Sequence, residues 1–141
     1  MDLNSLYSEI IMEHNRSTHN KGQLENPTVE ERGYNPSCGD DLKIGFLLED
    51  GKIEDVKFTG YGCAISQSST SIMIDLIKGL TIDEAMELTD IFLRMIQKEA
   101  SEEEIERIED AIAYQNISNM PARVKCAVLP WHTLKEALKN F

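Results

Sequence analysis

The feature that most constrains the fold is a run of alternating apolar and polar residues that leads into a tight turn. The apolar members of this run are Leu42, Ile44, Phe46 and Leu48. A period of two is typical of a β-strand with one buried face. The turn that follows, "EDGK" at 49–52, contains Asp50-Gly51, which supplies the positive φ angles of a two-residue hairpin. The segment therefore predicts two antiparallel strands.

The second strand of this hairpin is predicted to end in "TGYGC" at 59–63. Its alternation places Glu54, Val56 and Phe58 on one face of the sheet. The opposite face then carries Ile53, Asp55 and Lys57. Glycines at 60 and 62 are expected to release the chain from the sheet just before Cys63.

From residue 64 onward the apolar period changes to that of a helix. The residues on the predicted helical face are Ile65, Ser68, Ser69, Ile72, Met73, Leu76 and Ile77. Gly79 is expected to stop this helix. "TIDE" at 81–84 and "SEEE" at 101–104 are capping boxes that predict two more helices. The second of these opens a short acidic helix through Ile105, Ile108 and Ile112.

The two ends of the chain complete the predicted architecture. Residues 3–14 form an amphipathic helix with Leu3, Leu6, Tyr7, Ile10, Ile11 and His14 on one face. Residues 15–37 are predicted to form a long loop, in which the sequence leaves an additional strand open. A last helix starts at Pro121, and Pro130 is expected to kink or restart it. We therefore expect one α+β domain over residues 1–141, a small antiparallel sheet with helices packed on one face.

Charge narrows the classes of partner. The 141 residues carry a formal net charge of −11, which argues against a nucleic-acid surface and against an anionic membrane face. No apolar run approaches the about 20 residues of a membrane span, and "MDLNSLYSEIIMEH" at the start has no signal-peptide character. We expect a cytoplasmic protein, and a basic protein partner would suit its charge.

The chain has three cysteines: Cys38, Cys63 and Cys126. An odd number, with no predicted signal peptide, argues against a disulfide framework. In a reducing compartment these residues can bind a metal, react as thiols, or fill the core as small apolar side chains. The local sequence around each cysteine leaves all three alternatives open.

Two of the cysteines are predicted to meet at one edge of the sheet. Cys38 precedes the first hairpin strand and Cys63 follows the second, so antiparallel pairing brings them together, with Asp40 nearby. Cys63 and Cys126 each lie near a predicted helix start, where the helix dipole lowers the pKa of a thiol. If Cys126 joins the others, three thiols and one carboxylate suit tetrahedral Zn²⁺ or iron in a sulfur cluster.

The segments around the cysteines also carry a resemblance. "NPSCGDDL", "FTGYGCAISQSSTSIM" and "PARVKCAVLPWHTLKEAL" resemble the three cysteine motifs of the U-type iron–sulfur assembly family, which includes IscU scaffolds, the N-terminal domain of NifU, and SufU. The resemblance implies a metal or cluster site made of Cys38, Asp40, Cys63 and Cys126. It also implies a pyridoxal-phosphate-dependent cysteine desulfurase of the SufS or IscS type as the partner.

Some residues depart from the scaffold branch and look like the SufU branch. Lys125 stands where scaffold members have His, residues 97–116 are longer than the scaffold connection, and "NMPARVK" replaces the chaperone-binding loop. The resemblance then implies a zinc-bound protein in which Cys38 accepts persulfide sulfur. Asp40 would modulate ligand exchange, and a partner residue would take the vacated metal position. Arg123 is a candidate to pair with Asp40 or with the partner.

Three functions remain open at this point. The first is a zinc-bound sulfur acceptor, and the second is a scaffold that builds a [2Fe–2S] cluster on the same ligands for apo iron–sulfur proteins. The third is a small zinc-stabilised binding domain. His14 is expected to pack at its helix end, His19 to be solvated, and His132 has no partner at zinc-like spacing. The serines of "SQSSTS" at 66–71 are predicted to form a closely packed helix face.

Overall fold

The computed structural model describes the backbone of residues 3–141 and the side chains from Tyr7 onward, so Leu3 and Leu6 of the predicted apolar face lie outside the described side chains. The order of elements is α1 (Leu3–Arg16), β1 (Val29–Asn35), β2 (Asp40–Glu49), β3 (Lys52–Tyr61), α2 (Ala64–Ile77), α3 (Ile82–Ile96), α4 (Glu102–Glu106), two 3₁₀ helices (Glu109–Tyr114 and Ile117–Asn119) and α5 (Pro121–Leu138). This is the expected α+β class.

The three strands form an antiparallel sheet in the order β1-β2-β3. The sequence left an additional strand open within residues 15–37, and β1 is that strand. β1 lacks apolar alternation because α5 packs closely against it. A Cβ at Gly33 would collide with Thr133 Oγ1 and lie 3.4 Å from Leu129 Cγ, so glycine occupies a position where an apolar side chain would be expected.

The predicted hairpin is confirmed at its turn, where Asp50 and Gly51 have φ angles of 51° and 76°. Its second strand contains a bulge, because Leu47 pairs with Asp55 and Leu48 pairs with Ile53. Glu54 is thus the extra residue, and the alternation changes face there. Ile53 is buried with Val56 while Glu54 is exposed, so the predicted faces of Glu54 and Ile53 were wrong.

The helices follow most of the predicted signals. Gly79 ends α2 with a φ of 88°, and both capping boxes are present at Thr81 and Ser101. The acidic helix is shorter than predicted, because α4 ends at Glu106 and a 3₁₀ helix follows. That 3₁₀ helix contributes Ala111 and Tyr114 to the core.

The last helix, α5, runs through Pro130 without restarting, so the predicted restart was wrong. Pro130 and Trp131 are both buried. Proline costs the helix one backbone hydrogen bond, about 3 kcal/mol, and burial of a tryptophan side chain on the same turn offsets this cost.

The core is centred on Trp131, whose ring stacks on Phe92 with 4.0 Å between centroids. Trp131 Nε1 donates to Ser69 Oγ at 2.9 Å, and Ser69 Oγ donates to the Ala127 carbonyl at 2.6 Å. Ser68 Oγ and the Tyr114 hydroxyl share a 2.5 Å hydrogen bond. The serine run is therefore a packed helix face, as predicted, and its hydroxyls are bonded within the protein.

Two histidines connect the N-terminal region to α2. His14 Nδ1 lies 2.9 Å from Ser71 Oγ, which confirms the predicted packing role. His19 is exposed, as predicted, and its Nε2 also lies 3.0 Å from Asp75 Oδ1. Within the described residues 3–141, no helix combines the length and apolar character needed to cross a membrane.

The ion pair between Arg94 and Glu104 predicts a pH dependence of stability. Arg94 Nη1 donates to Glu104 Oε1 at 2.9 Å. This pairing, with the Ser101 backbone N–H, lowers the pKa of Glu104 from 4.5 to about 2. A lowered folded-state pKa contributes stability above the unfolded-state pKa, and this contribution is lost as the pH falls from 4.5 towards 2. In the wild-type protein, the urea concentration at the unfolding midpoint should fall as the pH is lowered over that interval. We expect this fall to be smaller in Glu104→Gln.

Glu103 offers a control on the same turn of α4. Its side chain is exposed, so Glu103→Gln removes one negative charge and leaves the Arg94–Glu104 pair intact. If both variants change the pH profile equally, the effect belongs to net charge and the ion pair has no special role.

Candidate metal centre

The predicted site lies at the edge of the sheet where β1 meets β2. Cys38 is half-buried in the turn formed by residues 36–39, and Gly39 closes this turn with a φ of 71°. Asp40 is the first residue of β2 and its side chain is fully buried. The turn therefore holds one thiol near the surface, and the strand holds one carboxylate beneath it.

Cys63 lies where β3 passes into α2, as the hairpin topology predicted. It is the N-cap residue of α2, and its Sγ accepts a hydrogen bond from the Ser66 N–H at 3.5 Å. Its own backbone N–H donates to Asp40 Oδ1 at 2.9 Å. Cys63 is thus connected directly to Asp40 through its main chain.

Cys126 reaches the same edge from α5 and is buried, with 1% of its surface exposed. Its Sγ donates to the Ala122 carbonyl at 3.9 Å, and Cys38 Sγ donates to the same carbonyl at 3.8 Å. The two thiols therefore meet although 87 positions of sequence, from Cys38 to Cys126 exclusive, separate them.

The structure brings three of the four predicted ligands into one group. The ligand atoms of Cys38, Asp40 and Cys126 all lie within 4.8 Å of one another. Cys63 is outside this group, although its thiol is close enough to act on the pKa of Cys126. Its sulfur accepts the Ser66 N–H at the start of α2, and a thiolate that accepts such a hydrogen bond can still bind a metal ion.

The carboxylate of Asp40 is satisfied on one side only. Oδ1 accepts from the Cys63 N–H and from Ser66 Oγ, each at 2.9 Å. Oδ2 is equally buried and has no hydrogen-bond partner among the described residues. A buried carboxylate oxygen without a partner is costly, and a bound cation would remove that cost. The donor set of thiols and one carboxylate suits zinc or iron.

The pKa of Cys126 departs from the sequence expectation. Burial raises the pKa of the Cys126 thiol, and the neighbouring Cys38 and Cys63 thiols raise it further. The predicted lowering by the helix dipole was wrong because Cys126 lies more than one turn inside α5, beyond the range of that effect.

Two other residues alter the sequence-based picture. Arg123 is exposed, and among the described residues it forms no ion pair with Asp40. Ser66 was not singled out, yet it contacts both Asp40 and Cys63. Its position three residues after the N-cap is the position whose backbone N–H an N-cap side chain accepts from, so the sequence did contain a signal for it.

Gly62 gives a prediction about this site, because a Cβ there would lie 2.5 Å from Asp40 Oδ1 and in collision with Ser66 Oγ. Gly62→Ala should push the carboxylate out of place and destabilise the metal-free protein by about 1–3 kcal/mol. Urea unfolding with a chelator present measures this loss. Ala64→Ser, at an exposed neighbouring position, is the control, and an unchanged midpoint for Gly62→Ala would contradict the packing shown.

The sheet, its helical cover and the thiols gathered at one edge define a class of protein: a small α+β protein with a cysteine site suited to zinc, iron or sulfur. The chain belongs to the family described as the NifU-like N terminal domain, whose family model matches residues 6–141. This finding confirms the resemblance to U-type assembly proteins.

Individual relatives agree with this assignment. The chain is 40% identical over 136 residues to the iron-sulfur cluster assembly scaffold protein IscU of Thermotoga maritima, covering 96% of this chain and 94% of that protein. It is 38% identical over 137 residues to the zinc-dependent sulfurtransferase SufU of Bacillus subtilis, covering 97% and 92%. The crystal structure of a protein assigned as an assembly scaffold for the SUF system, FiSufU from Fervidobacterium islandicum, matches with a TM-score of 0.89 and 41% identity, covering 96% and 98%.

Proposed function

We propose that this chain is a zinc-dependent sulfur acceptor in iron–sulfur cluster assembly, and that Cys38 takes persulfide sulfur from a cysteine desulfurase. The observation that carries the proposal is the contrast between two adjacent thiols. Cys38 is half-buried on a turn, whereas Cys126, within 4.8 Å of it, is buried in a helix. One thiol can meet a partner while the other holds the site together.

The proposed zinc ligands are Cys38, Asp40, Cys63 and Cys126. Among the described residues Oδ2 of Asp40 has no hydrogen-bond partner, and the ligand atoms of Cys38, Asp40 and Cys126 lie within 4.8 Å of one another, which supports these three ligands. Cys63 is included because its thiol acts on the pKa of Cys126 and its N–H donates to Asp40. The zinc-dependent relative in Bacillus subtilis supports the choice of metal. When bound, zinc would hold the cysteines as thiolates and protect them from oxidation.

The transfer itself is a thiol exchange at Cys38. The Cys38 thiolate attacks the outer sulfur of the desulfurase persulfide, and a new sulfur–sulfur bond forms on Cys38. The bond between that sulfur and the enzyme's cysteine breaks, and the electron pair leaves with the enzyme as a thiolate. No external oxidant or reductant is needed. Gly39 follows Cys38 and adopts a positive φ, which glycine allows without strain. The turn that carries Cys38 therefore bends at Gly39.

A second candidate function is a scaffold on which a [2Fe–2S] cluster is built and then passed to apo iron–sulfur proteins. The observation that favours it is the 40% identity to the Thermotoga maritima protein, which is named as a scaffold. The same residues would hold the cluster as cargo. Substituting the cysteines therefore does not separate the two functions, and products must be measured.

The test begins with metal analysis of the protein as isolated, followed by incubation with the cysteine desulfurase of the same organism and cysteine. Mass spectrometry of the peptide that contains Cys38 should show the added mass of one sulfur atom, and the Cys38→Ser variant should show none. Zinc-loaded protein should also stimulate the desulfurase. Absence of sulfur on Cys38 in the wild type would overturn the acceptor role.

The scaffold function predicts a different result. Anaerobic reconstitution with iron and sulfide would give a cluster that moves intact to an apoprotein. If neither sulfur transfer nor cluster transfer occurs, and chelation alone unfolds the chain, the remaining function is a zinc-stabilised binding domain.

A further inference from the structure

Ser66 is a fully buried residue that connects two of the proposed ligands. Its hydroxyl donates to Asp40 Oδ1 at 2.9 Å, and its backbone N–H donates to Cys63 Sγ at 3.5 Å. The other hydroxyls of α2 act elsewhere. Thr70 Oγ1 donates to the Ser66 carbonyl at 2.7 Å, and Ser69 Oγ donates to Ala127 O. Among the described side chains of this helix, Ser66 is the one whose hydroxyl bonds to the carboxylate.

The two oxygens of Asp40 have different surroundings. Oδ1 is occupied by two donors, the Ser66 hydroxyl and the Cys63 N–H. Two donors on one oxygen fix the plane of the carboxyl group and direct the other oxygen. That other oxygen, Oδ2, is buried and has no partner in the part of the chain that the structure describes. Asp40 also lies in the group formed with Cys38 and Cys126. Hydrogen bonds of this kind to a metal-ligating carboxylate orient it.

We propose that Ser66 is a positioning residue for the metal centre. Its hydroxyl keeps Oδ1 of Asp40 engaged with the protein, so that Oδ2 alone is offered to the metal ion. This proposal rests on the zinc site of the proposed function. It adds that Oδ1 of Asp40 bonds to the protein, whereas Oδ2 binds the metal ion. Asp40 is thereby a one-oxygen ligand, which is easier to exchange than a carboxylate that binds through both oxygens.

The first experiment compares Ser66→Ala with Thr70→Val. Thr70 is also fully buried, lies one turn further along α2, and bonds only to a backbone carbonyl. Both variants remove one buried hydroxyl, so the urea midpoints of the metal-free proteins should fall by similar amounts. Zinc affinity, measured by competition with a chelator, should fall about 10–100-fold in Ser66→Ala and stay near the wild-type value in Thr70→Val.

A second comparison uses the carboxylate itself. Asp40→Asn keeps an acceptor oxygen for Ser66 and Cys63 but replaces Oδ2 with an amide NH₂ group, which cannot bind zinc. It should lose at least as much zinc affinity as Ser66→Ala. Adding Ser66→Ala to Asp40→Asn should then cause no further loss. Asp40→Asn also keeps the proposal testable if Ser66→Ala does not fold.

Cobalt provides a readout that a purely structural role would not change. The visible absorption of bound Co²⁺ should shift in Ser66→Ala and remain that of the wild type in Thr70→Val. Equal zinc affinities in Ser66→Ala and Thr70→Val would overturn the proposal while leaving the zinc site standing. Wild-type affinity in Asp40→Asn would overturn the proposal and also remove Asp40 from the proposed ligands. A wild-type protein that binds neither zinc nor cobalt would overturn both.

Discussion

Replacing Cys126 by alanine is expected to abolish stoichiometric zinc binding. Cys126 is the most deeply buried of the three thiols, and its sulfur lies within 4.8 Å of the ligand atoms of Cys38 and Asp40. Its removal deletes a proposed ligand at a buried position, where water has little access to take its place. The loss in affinity should therefore exceed the about 10–100-fold that follows loss of an outer hydrogen-bond partner. Chelator competition and metal analysis measure it.

The fold of the metal-free Cys126→Ala protein should survive, because alanine replaces a small buried side chain by another. Val124→Ala is the matched control, since Val124 lies on the same helix, is half-buried, and carries no metal-binding atom. Retention of one zinc ion per chain in Cys126→Ala would remove this residue from the site.

Trp131→Ala is expected to cause the largest loss of stability in the protein, about 3–5 kcal/mol in the free energy of unfolding. The side chain is fully buried and stacks on Phe92 with an angle of 11° between the rings. Alanine would leave a large cavity at the contact between α3 and α5, and would also remove the donor to Ser69 Oγ. Equilibrium unfolding in urea measures the change.

Trp131→Phe separates the two contributions in this prediction. Phenylalanine can keep the stacking on Phe92 but has no N–H group, so its cost should be well below that of alanine. A loss under about 2 kcal/mol for Trp131→Ala would mean that the core relaxes into the space, contrary to the tight packing described.

The parts of the fold that were predictable from the sequence depend on local signals. Asp50-Gly51 determines its own turn, and the capping boxes at Thr81 and Ser101 contain both of the residues they need. The hairpin also made the position of Cys63 beside Asp40 predictable, because antiparallel strands return to the same edge. Residues close together in the sequence, and the antiparallel pairing of neighbouring strands, are sufficient to predict these features.

The parts that the sequence did not reveal depend on contacts between distant segments. β1 is recognisable only once α5 is known to lie against Gly33. The raised pKa of Cys126 depends on burial and on neighbouring thiols from two other segments. The hydrogen bond from the Cys63 N–H to Asp40 Oδ1 depends on the pairing of β2 with β3. Spacing along the chain does not encode any of these three features.

The position of Cys126 on α5 has a consequence for how occupancy of the site can be observed. The same helix carries Trp131, and Ser69 joins Trp131 to the carbonyl of Ala127, the neighbour of Cys126. An ion bound to Cys126 would therefore stabilise α5, which packs in the core. The melting temperature of the protein should then rise with the fraction of chains that hold an ion. At a free-ion concentration 100 times the dissociation constant, mass action adds about 2.7 kcal/mol, so a melting curve recorded at graded zinc concentrations yields the affinity without any chromophore.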